Sequence, residues 1–125
     1  MSDNGFTTLE VFIALASSNT EQLVDFYTAI LQVKPRIRTP KYAEFLAGSL
    51  KIAIFQPSAD NESEFAAANS GAVSLCLEVN DIERAIARLS TLGYALSDEI
   101  MHTSHGQEIY AYDPDGNRVI LHQQL

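Results

Sequence analysis

The first half of the chain begins with a strand pattern and continues with a helix pattern. Apolar residues at every second position, Val11, Ile13 and Leu15, predict a strand that is buried on at least one face. Residues 18–21 then match a capping box, which predicts the start of a helix that runs to about Leu31. The apolar positions at helical spacing are Leu23, Phe26, Tyr27, Ile30 and Leu31.

Three short strand patterns follow this helix, and a polar connector follows them. Residues 36–38, 42–47 and 51–55 each have the composition of a strand, and proline or glycine separates them. A three-stranded meander is therefore expected. Residues 57–71 are rich in serine, alanine, asparagine and acids, which is typical of a connector, and a short helix fits residues 62–69.

The second half of the chain repeats the pattern of the first. Val11 corresponds to Val73 and Asn19 to Asp81, and the members of each pair are 62 residues apart. A second helix is expected after Asp81, and Gly93 stands where a left-handed residue would end it. The repeat predicts a single α+β domain over residues 1–125. Its parts are a first unit at 9–56, the connector at 57–71 and a second unit at 72–123.

The composition limits the partners and the compartment. The 125 residues carry 16 acidic and 8 basic side chains, and the net charge of -8 opposes binding to nucleic acid or anionic lipid. No apolar run is long enough for a membrane helix, the start of the chain is polar, and the single cysteine, Cys76, allows no internal disulfide. We therefore expect a cytoplasmic protein without nucleic-acid or membrane partners.

A turn near the end of the chain makes the fold assignment specific. Residues 110–121 read YAYDPDGNRVIL, in which Pro114 suits a type I turn and Gly116 suits the left-handed residue of the adjoining bulge. Together with the repeat and the helix segment VDFYTAIL at residues 24–31, this hairpin resembles the vicinal oxygen chelate superfamily of glyoxalases, bleomycin resistance proteins and extradiol dioxygenases. The resemblance implies paired βαβββ units that form a curved half-barrel sheet around a cavity, and a homodimer.

The resemblance also implies four positions for metal ligands, one on the first and one on the last strand of each unit. In this sequence the four positions hold Phe12, Ala53, Ser74 and Ile120. A divalent metal needs oxygen, nitrogen or thiolate donors in converging geometry, and only the serine hydroxyl offers a donor, which is a weak one. We therefore expect no metal at these positions and no other cofactor.

The hairpin register adds residues to the expected cavity face. A three-residue turn places Tyr110 opposite Ile120 and Glu108 opposite His122, so these side chains share the face of the ligand position at Ile120. Glu108 and His122 then form either an acid-base couple or an ordinary cross-strand pair. Cys76 shares the face of Ser74. The expected ligand-binding residues are Phe12, Ala53, Phe55, Ser74, Cys76, Glu108, Tyr110, Ile120 and His122.

Three functions fit this sequence. The leading hypothesis is a metal-independent protein that binds a small molecule, as in the drug-binding branch of the family that it resembles. The alternative is a lyase or dioxygenase-type enzyme, which would use either the Glu108/His122 pair or ligands relocated to Glu10, Glu78 and His122. The third is an interaction or regulatory module with a vestigial cavity, which a small apolar cavity filled by Phe12 and Ile120 would favour.

Two arginines leave the charge of the ligand open. Arg36 and Arg38 are two residues apart in a predicted strand, so both are expected to point the same way. Pointing into the cavity, they would favour an acidic ligand. Pointing outward, they would leave a neutral or cationic aromatic ligand as the better fit, and the apolar Ile37 between them favours this orientation.

Overall fold

Each half of the chain folds as a strand, a helix and a run of antiparallel strands. The computed structural model describes residue 5 and residues 7–60, 62–65 and 73–125. The first unit consists of β1 (Ile13–Ala16), α1 (Thr20–Leu31), β2 (Ile37–Thr39), β3 (Tyr42–Ala47) and β4 (Leu50–Phe55). The connector carries α2 (Glu62–Phe65), and residues 66–69 of the expected connector helix lie outside the described residues. The second unit consists of β5 (Leu75–Glu78), α3 (Ile82–Thr91), β6 (Ala95–Leu96), β7 (Met101–Thr103), β8 (Gly106–Tyr112) and β9 (Arg118–Gln124).

The strands form two open sheets of matching topology. The first sheet has the order β1-β4-β3-β2, and the second has the order β5-β9-β8-β6 with β7 also paired to β8. In both units the first strand runs parallel to the last one, β1 beside β4 and β5 beside β9, while the other pairs are antiparallel. The expected α+β class with paired units of this kind is confirmed.

The helices begin where side chains cap their first turns. The side chain of Asn19 accepts a hydrogen bond from the backbone N–H of Gln22 at the start of α1, and Asp81 accepts one from Arg84 at the start of α3. These caps are 62 residues apart, as the repeat predicts. Gly93 has φ +82° after α3, which is the left-handed conformation expected for it.

Two strand predictions differ from the structure. The first strand begins at Ile13 rather than Val11, because pairing with β4 starts at Ile13, and Val11 is left 80% exposed. The expected single strand after α3 is divided into β6 and β7. Between them the N–H of Ser97 donates to Tyr110, and the N–H of Tyr110 donates to the Ser97 hydroxyl, so a side chain replaces one backbone partner and the ladder is interrupted.

The two units share one hydrophobic core, which lies between the sheets and the helices. Phe26 of α1 packs edge-on against Tyr94 of the second unit, with ring centroids 4.8 Å apart. The hydroxyl of Tyr27 donates to the buried carboxylate of Asp113 in the β8–β9 turn at 2.8 Å. Burial beside Asp113 raises the pKa of Tyr27 far above the ordinary tyrosine value. No helix among the described residues is long and apolar enough to cross a membrane.

Candidate functional site

Each sheet has one face packed under α1 or α3 and a second face that neither of these two helices covers, and the expected site residues lie on the second. Helix α1 contacts β3 and β4, and α3 contacts β6 and β9. The buried residues Ile52, Ile54, Val119 and Leu121 point to the helix side. Side chains alternate along a strand, so Ala53 and its neighbours point away from the helix. We call the two opposite surfaces the helix-free faces: Phe12, Glu44, Lys51, Ala53 and Phe55 on the first sheet, and Ser74, Cys76, Glu78, Glu108, Tyr110, Ile120 and His122 on the second.

The position of Phe12 on the first sheet is covered by a cation. The Nζ atom of Lys51 lies 4.1 Å from the centroid of the Phe12 ring, a distance typical of a cation–π contact. The same ammonium is paired with Glu10 at 3.1 Å and lies 3.9 Å from Glu44. Ala53, directly opposite Glu44, is 2% exposed although it lies outside the main cluster of buried hydrophobic residues. A lysine thus lies against the aromatic ring at the first of the four metal positions.

Glu44 is the centre of a polar network that the sequence analysis missed. Its carboxylate accepts hydrogen bonds from the Tyr42 hydroxyl at 2.7 Å and from Nη2 of Arg36 at 2.9 Å, and the residue is 8% exposed. The hydrogen bond from Tyr42, with that from Arg36, holds the pKa of Glu44 below its ordinary value. The same bond raises the pKa of Tyr42. A glutamate between Ala43 and Phe45 was the signal for this network, since an acid that interrupts an apolar strand needs partners.

Arg36 and Arg38 do not point the same way, which corrects the expectation from alternation. Arg36 reaches Glu44 on the helix-free face, whereas Arg38 pairs with Asp25 of α1 at 3.1 Å. The regular strand begins only at Ile37, which is the partner of Glu44, while the N–H of Arg36 also donates to the carbonyl of Glu44. Alternation therefore does not extend back to Arg36.

The second sheet has a cation in the equivalent place. Nε of Arg118 donates to the hydroxyl of Ser74 at 2.8 Å, and its guanidinium carbon lies 5.3 Å from the centroid of the Tyr110 ring. Arg118 precedes Ile120 by two residues, just as Lys51 precedes Ala53. Each unit therefore brings a basic side chain from its last strand onto the first-strand metal position, Phe12 or Ser74.

The predicted register of the last hairpin is confirmed, but the carboxylate that binds His122 is a different one. Glu108 is the strand partner of His122, as expected. The hydrogen bond to Nδ1 of His122, at 2.7 Å, is made by Glu78 on the parallel neighbour β5, where Glu78 also lies opposite His122. Of the two interpretations, the ordinary cross-strand pair describes Glu108, and the carboxylate that is hydrogen-bonded to the His122 ring is that of Glu78. Strand β9 has two neighbours, β5 and β8, and the hairpin pattern in the sequence predicts only its pairing with β8.

The remaining expected residues are spread over both faces. Phe55 packs edge-on against Phe65 of α2, with ring centroids 5.3 Å apart. Cys76 is exposed and lies opposite Ile120. Within the described ranges, no strand of one sheet is paired with a strand of the other. The expected site is thus divided between two surfaces.

The side chains at the four metal positions do not fit a metal ion. Phe12, Ala53 and Ile120 have no donor atoms, and the Ser74 hydroxyl already accepts a hydrogen bond from a cation. The relocated set of Glu10, Glu78 and His122 does not converge, because Glu10 binds Lys51 on the first sheet while the other two lie on the second. In the part of the chain that the structure describes, no three His, Cys, Asp or Glu residues are placed to hold a metal.

Comparisons with known proteins agree with this architecture. Residues 11–121 match the family model of the Glyoxalase/Bleomycin resistance protein/Dioxygenase superfamily. No curated protein matches the sequence.

Solved structures with the same fold have low sequence identity. The fosfomycin resistance protein FosX from Listeria monocytogenes, solved with Mn(II) and sulfate ion, is 18% identical with a TM-score of 0.75, covering 96% of this chain and 93% of that chain. Lactoylglutathione lyase from Agrobacterium tumefaciens is 20% identical with a TM-score of 0.68, covering 93% and 94%. A glyoxalase-related enzyme from Fulvimarina pelagi is 22% identical with a TM-score of 0.74, covering 94% and 89%. At these identities the likeness shows the fold alone.

Proposed function

Since the chain belongs to the Glyoxalase/Bleomycin resistance protein/Dioxygenase superfamily, we propose that it is a metal-independent member that binds a small molecule on its helix-free faces. We further propose that it works as a homodimer in the cytoplasm. The carrying observation is that a basic side chain occupies the first-strand metal position of each unit, Lys51 at Phe12 and Arg118 at Ser74.

The physical argument is electrostatic. A divalent cation gains its binding energy from several donors of negative or lone-pair character, and a fixed positive charge within a few ångströms opposes it. Lys51 and Arg118 thus fill the first-strand positions with groups that cannot coordinate a metal, while an open face with aromatic rings remains. Such a surface suits a compound with an aromatic body and few charges.

The charges of the first sheet favour a neutral or cationic ligand over an acidic one. Arg36 is paired with Glu44, and Lys51 is paired with Glu10, so neither cation is available without breaking an ion pair. The whole chain carries a net charge of -8, which repels anions at a distance.

A thermal-shift screen with matched acidic, neutral and basic aromatic compounds tests this proposal. We expect neutral or basic compounds to raise the melting temperature of the wild type, and Phe12→Ala to abolish the shift by removing the ring from the face. Leu92→Ala, at an exposed position after α3, is the matched control and should keep the shift. Stabilisation by acids alone, lost in Arg36→Ala, would overturn the ligand class. Stabilisation by none of the compounds would favour an interaction module instead.

Dimerisation is expected because both sheets leave an edge strand open beside exposed apolar residues. Strands β1 and β5 lie at the sheet edges, and Leu9, Val11 and Val73 next to them are 91%, 80% and 87% exposed. Light scattering should give twice the chain mass of 13.7 kDa. A species of the single-chain mass at micromolar concentration would contradict the dimer and leave the ligand proposal standing.

A further inference from the structure

A cavity of about 440 Å³ lies at the end of the second helix-free face, where β9 ends. We call it the His122 cavity, and its lining residues are Glu78, Ser104, His105, His122, Gln124 and Leu125. The cavity is open to solvent, two imidazoles and one carboxylate line it, and neither Phe12 nor Ala53 adjoins it.

The imidazole of His122 is held in place by a carboxylate that is itself held at both oxygens. Oε1 of Glu78 lies 2.7 Å from Nδ1 of His122, and Oε2 accepts the backbone N–H of Gln124 at 2.8 Å. The parallel register of β5 and β9 places Glu78 directly opposite His122, so the contact follows from the sheet itself. A carboxylate that fixes an imidazole through Nδ1 is the arrangement that orients a general base.

The hydrogen bond also decides which ring nitrogen is free. The hydrogen bond with His122, assisted by the backbone N–H of Gln124, lowers the pKa of Glu78, so the carboxylate is ionised near neutral pH and only accepts hydrogen bonds. Nδ1 must then carry the hydrogen, and Nε2 of the neutral ring keeps its lone pair. Among the described residues, Nε2 has no hydrogen-bond partner.

We propose that the His122 cavity is a general-base site, in which Nε2 of His122 removes a proton from a neutral small molecule that has a weakly acidic C–H group, with Glu78 as the positioning residue. A neutral molecule is specified because Glu78 and the net charge of -8 repel an anion. The proposal deepens the proposed function and rests on it for the access of small molecules to this face. A protein that only binds ligands would still satisfy the proposed function.

The opening of nitrobenzisoxazole is a suitable probe reaction, because a single base is enough for it. Nε2 takes the proton from the ring carbon, and the electron pair of that C–H bond forms the nitrile. The N–O bond breaks, and its electron pair stays on the oxygen as a coloured phenolate. The imidazolium then loses the proton to solvent, so no oxidant, metal or second reactant is needed.

The rate with the 125-residue chain should depend on His122 and on no imidazole that lies outside the cavity. We expect His122→Gln to lower kcat/KM at pH 7.5 by about a hundredfold or more, the range of a positioned general base. His102→Gln is the matched control, since His102 is an exposed histidine on β7 that does not line the cavity, and it should leave the rate unchanged. Equal losses in both variants, or no loss in His122→Gln, would refute the site.

The role of Glu78 is tested by a pair of variants and by the ring nitrogens. Glu78→Leu cannot accept from Nδ1, so NMR of the histidine nitrogens should show the hydrogen of His122 moving to Nε2, and the rate should fall with it. Glu78→Gln keeps an amide oxygen for Nδ1 and should restore both the tautomer and part of the rate. If the rate falls in Glu78→Leu while the tautomer stays, Glu78 has only a structural role and the proposed positioning is wrong.

Binding and catalysis are separated by running the thermal-shift screen on the same variants. A chain that binds aromatic compounds through Phe12 but does not accelerate the probe reaction would refute the general-base site and leave the proposed function intact. A chain that accelerates the reaction through His122, but whose melting temperature no aromatic compound raises, would refute the binding of aromatic compounds through Phe12 and leave the general-base site intact.

Discussion

The hydroxyl of Tyr27 makes a hydrogen bond between the two units, and the removal of one oxygen atom abolishes it. Tyr27 is 1% exposed, and its hydroxyl donates to Asp113, which is 4% exposed and lies 86 residues further along the chain. Tyr27→Phe removes this oxygen and keeps the ring. The Asp113 carboxylate then loses one of its donors but keeps the side chain of Asn117 and the backbone N–H groups of Asp115 and Asn117.

The size of the effect follows from the charge of the acceptor and the burial of both groups. A hydrogen bond to a charged group contributes about 1.5–3 kcal/mol to the free energy of unfolding, and we expect Tyr27→Phe to lose about this amount. With about 2.1 cal/mol/K of unfolding entropy per residue, a chain of this length loses roughly 4 °C of melting temperature per kcal/mol, so a decrease of roughly 6–11 °C is expected.

Urea unfolding followed by circular dichroism measures the free energy, and calorimetry measures the melting temperature. The control is Tyr94→Phe, because Tyr94 packs on the same core and its hydroxyl has no hydrogen bond in the described part of the chain. It should change stability by about 0.5 kcal/mol or less, as mutations away from such contacts do. Equal and small losses in the two variants would refute the assignment of stability to the Tyr27 hydroxyl.

Three further predictions concern stability and metal content. Gly106→Ala should lower the free energy of unfolding, measured in urea, by about 3 kcal/mol or more, because a Cβ there would stand 2.0 Å from the carbonyl oxygen of Gln123. Gly116→Ala, at φ +88° in open space, should lower it by about 1–2 kcal/mol. Stability should fall as the pH drops below 4.5, because the pKa values of Glu44 and Glu78 are lowered in the folded protein and the unfolded chain therefore binds protons first. Glu44→Gln should make the urea midpoint fall less steeply with pH, and an unchanged slope would contradict this explanation. Elemental analysis after dialysis should find no stoichiometric divalent metal, and about one zinc, nickel, iron or manganese per chain would sink the metal-independent proposal.

The sequence predicted the parts of the fold that depend on local pattern. The helix α1, the turn at Gly116 and the hairpin register through Tyr110 were all predicted, because capping residues and turn residues act over a few positions. The division of the last meander was not predicted, since it depends on the Ser97 hydroxyl meeting a strand 13 residues away.

The polar contacts of the site were harder to predict for the same reason. The partner of His122 is Glu78, which is 44 residues distant and becomes its neighbour only through parallel pairing. The divergence of Arg36 from Arg38 depends on where a short edge strand begins, and strand ends are poorly specified by alternation. The alternation of side chains thus predicted which residues share a face of a sheet, whereas the contacts between those residues depended on pairings between distant segments.

The position of β9 in its sheet also sets the order in which the protein can form during synthesis. This strand lies between β5 and β8, so it is central in the second sheet although it is the last strand of the chain. On a ribosome, the first unit has all of its strands once Phe55 has emerged, whereas the second lacks its middle strand until Gln124 is free of the exit tunnel. Until then β5 and β8 have no common partner, and the backbone groups that face β9 in the finished sheet stay unpaired.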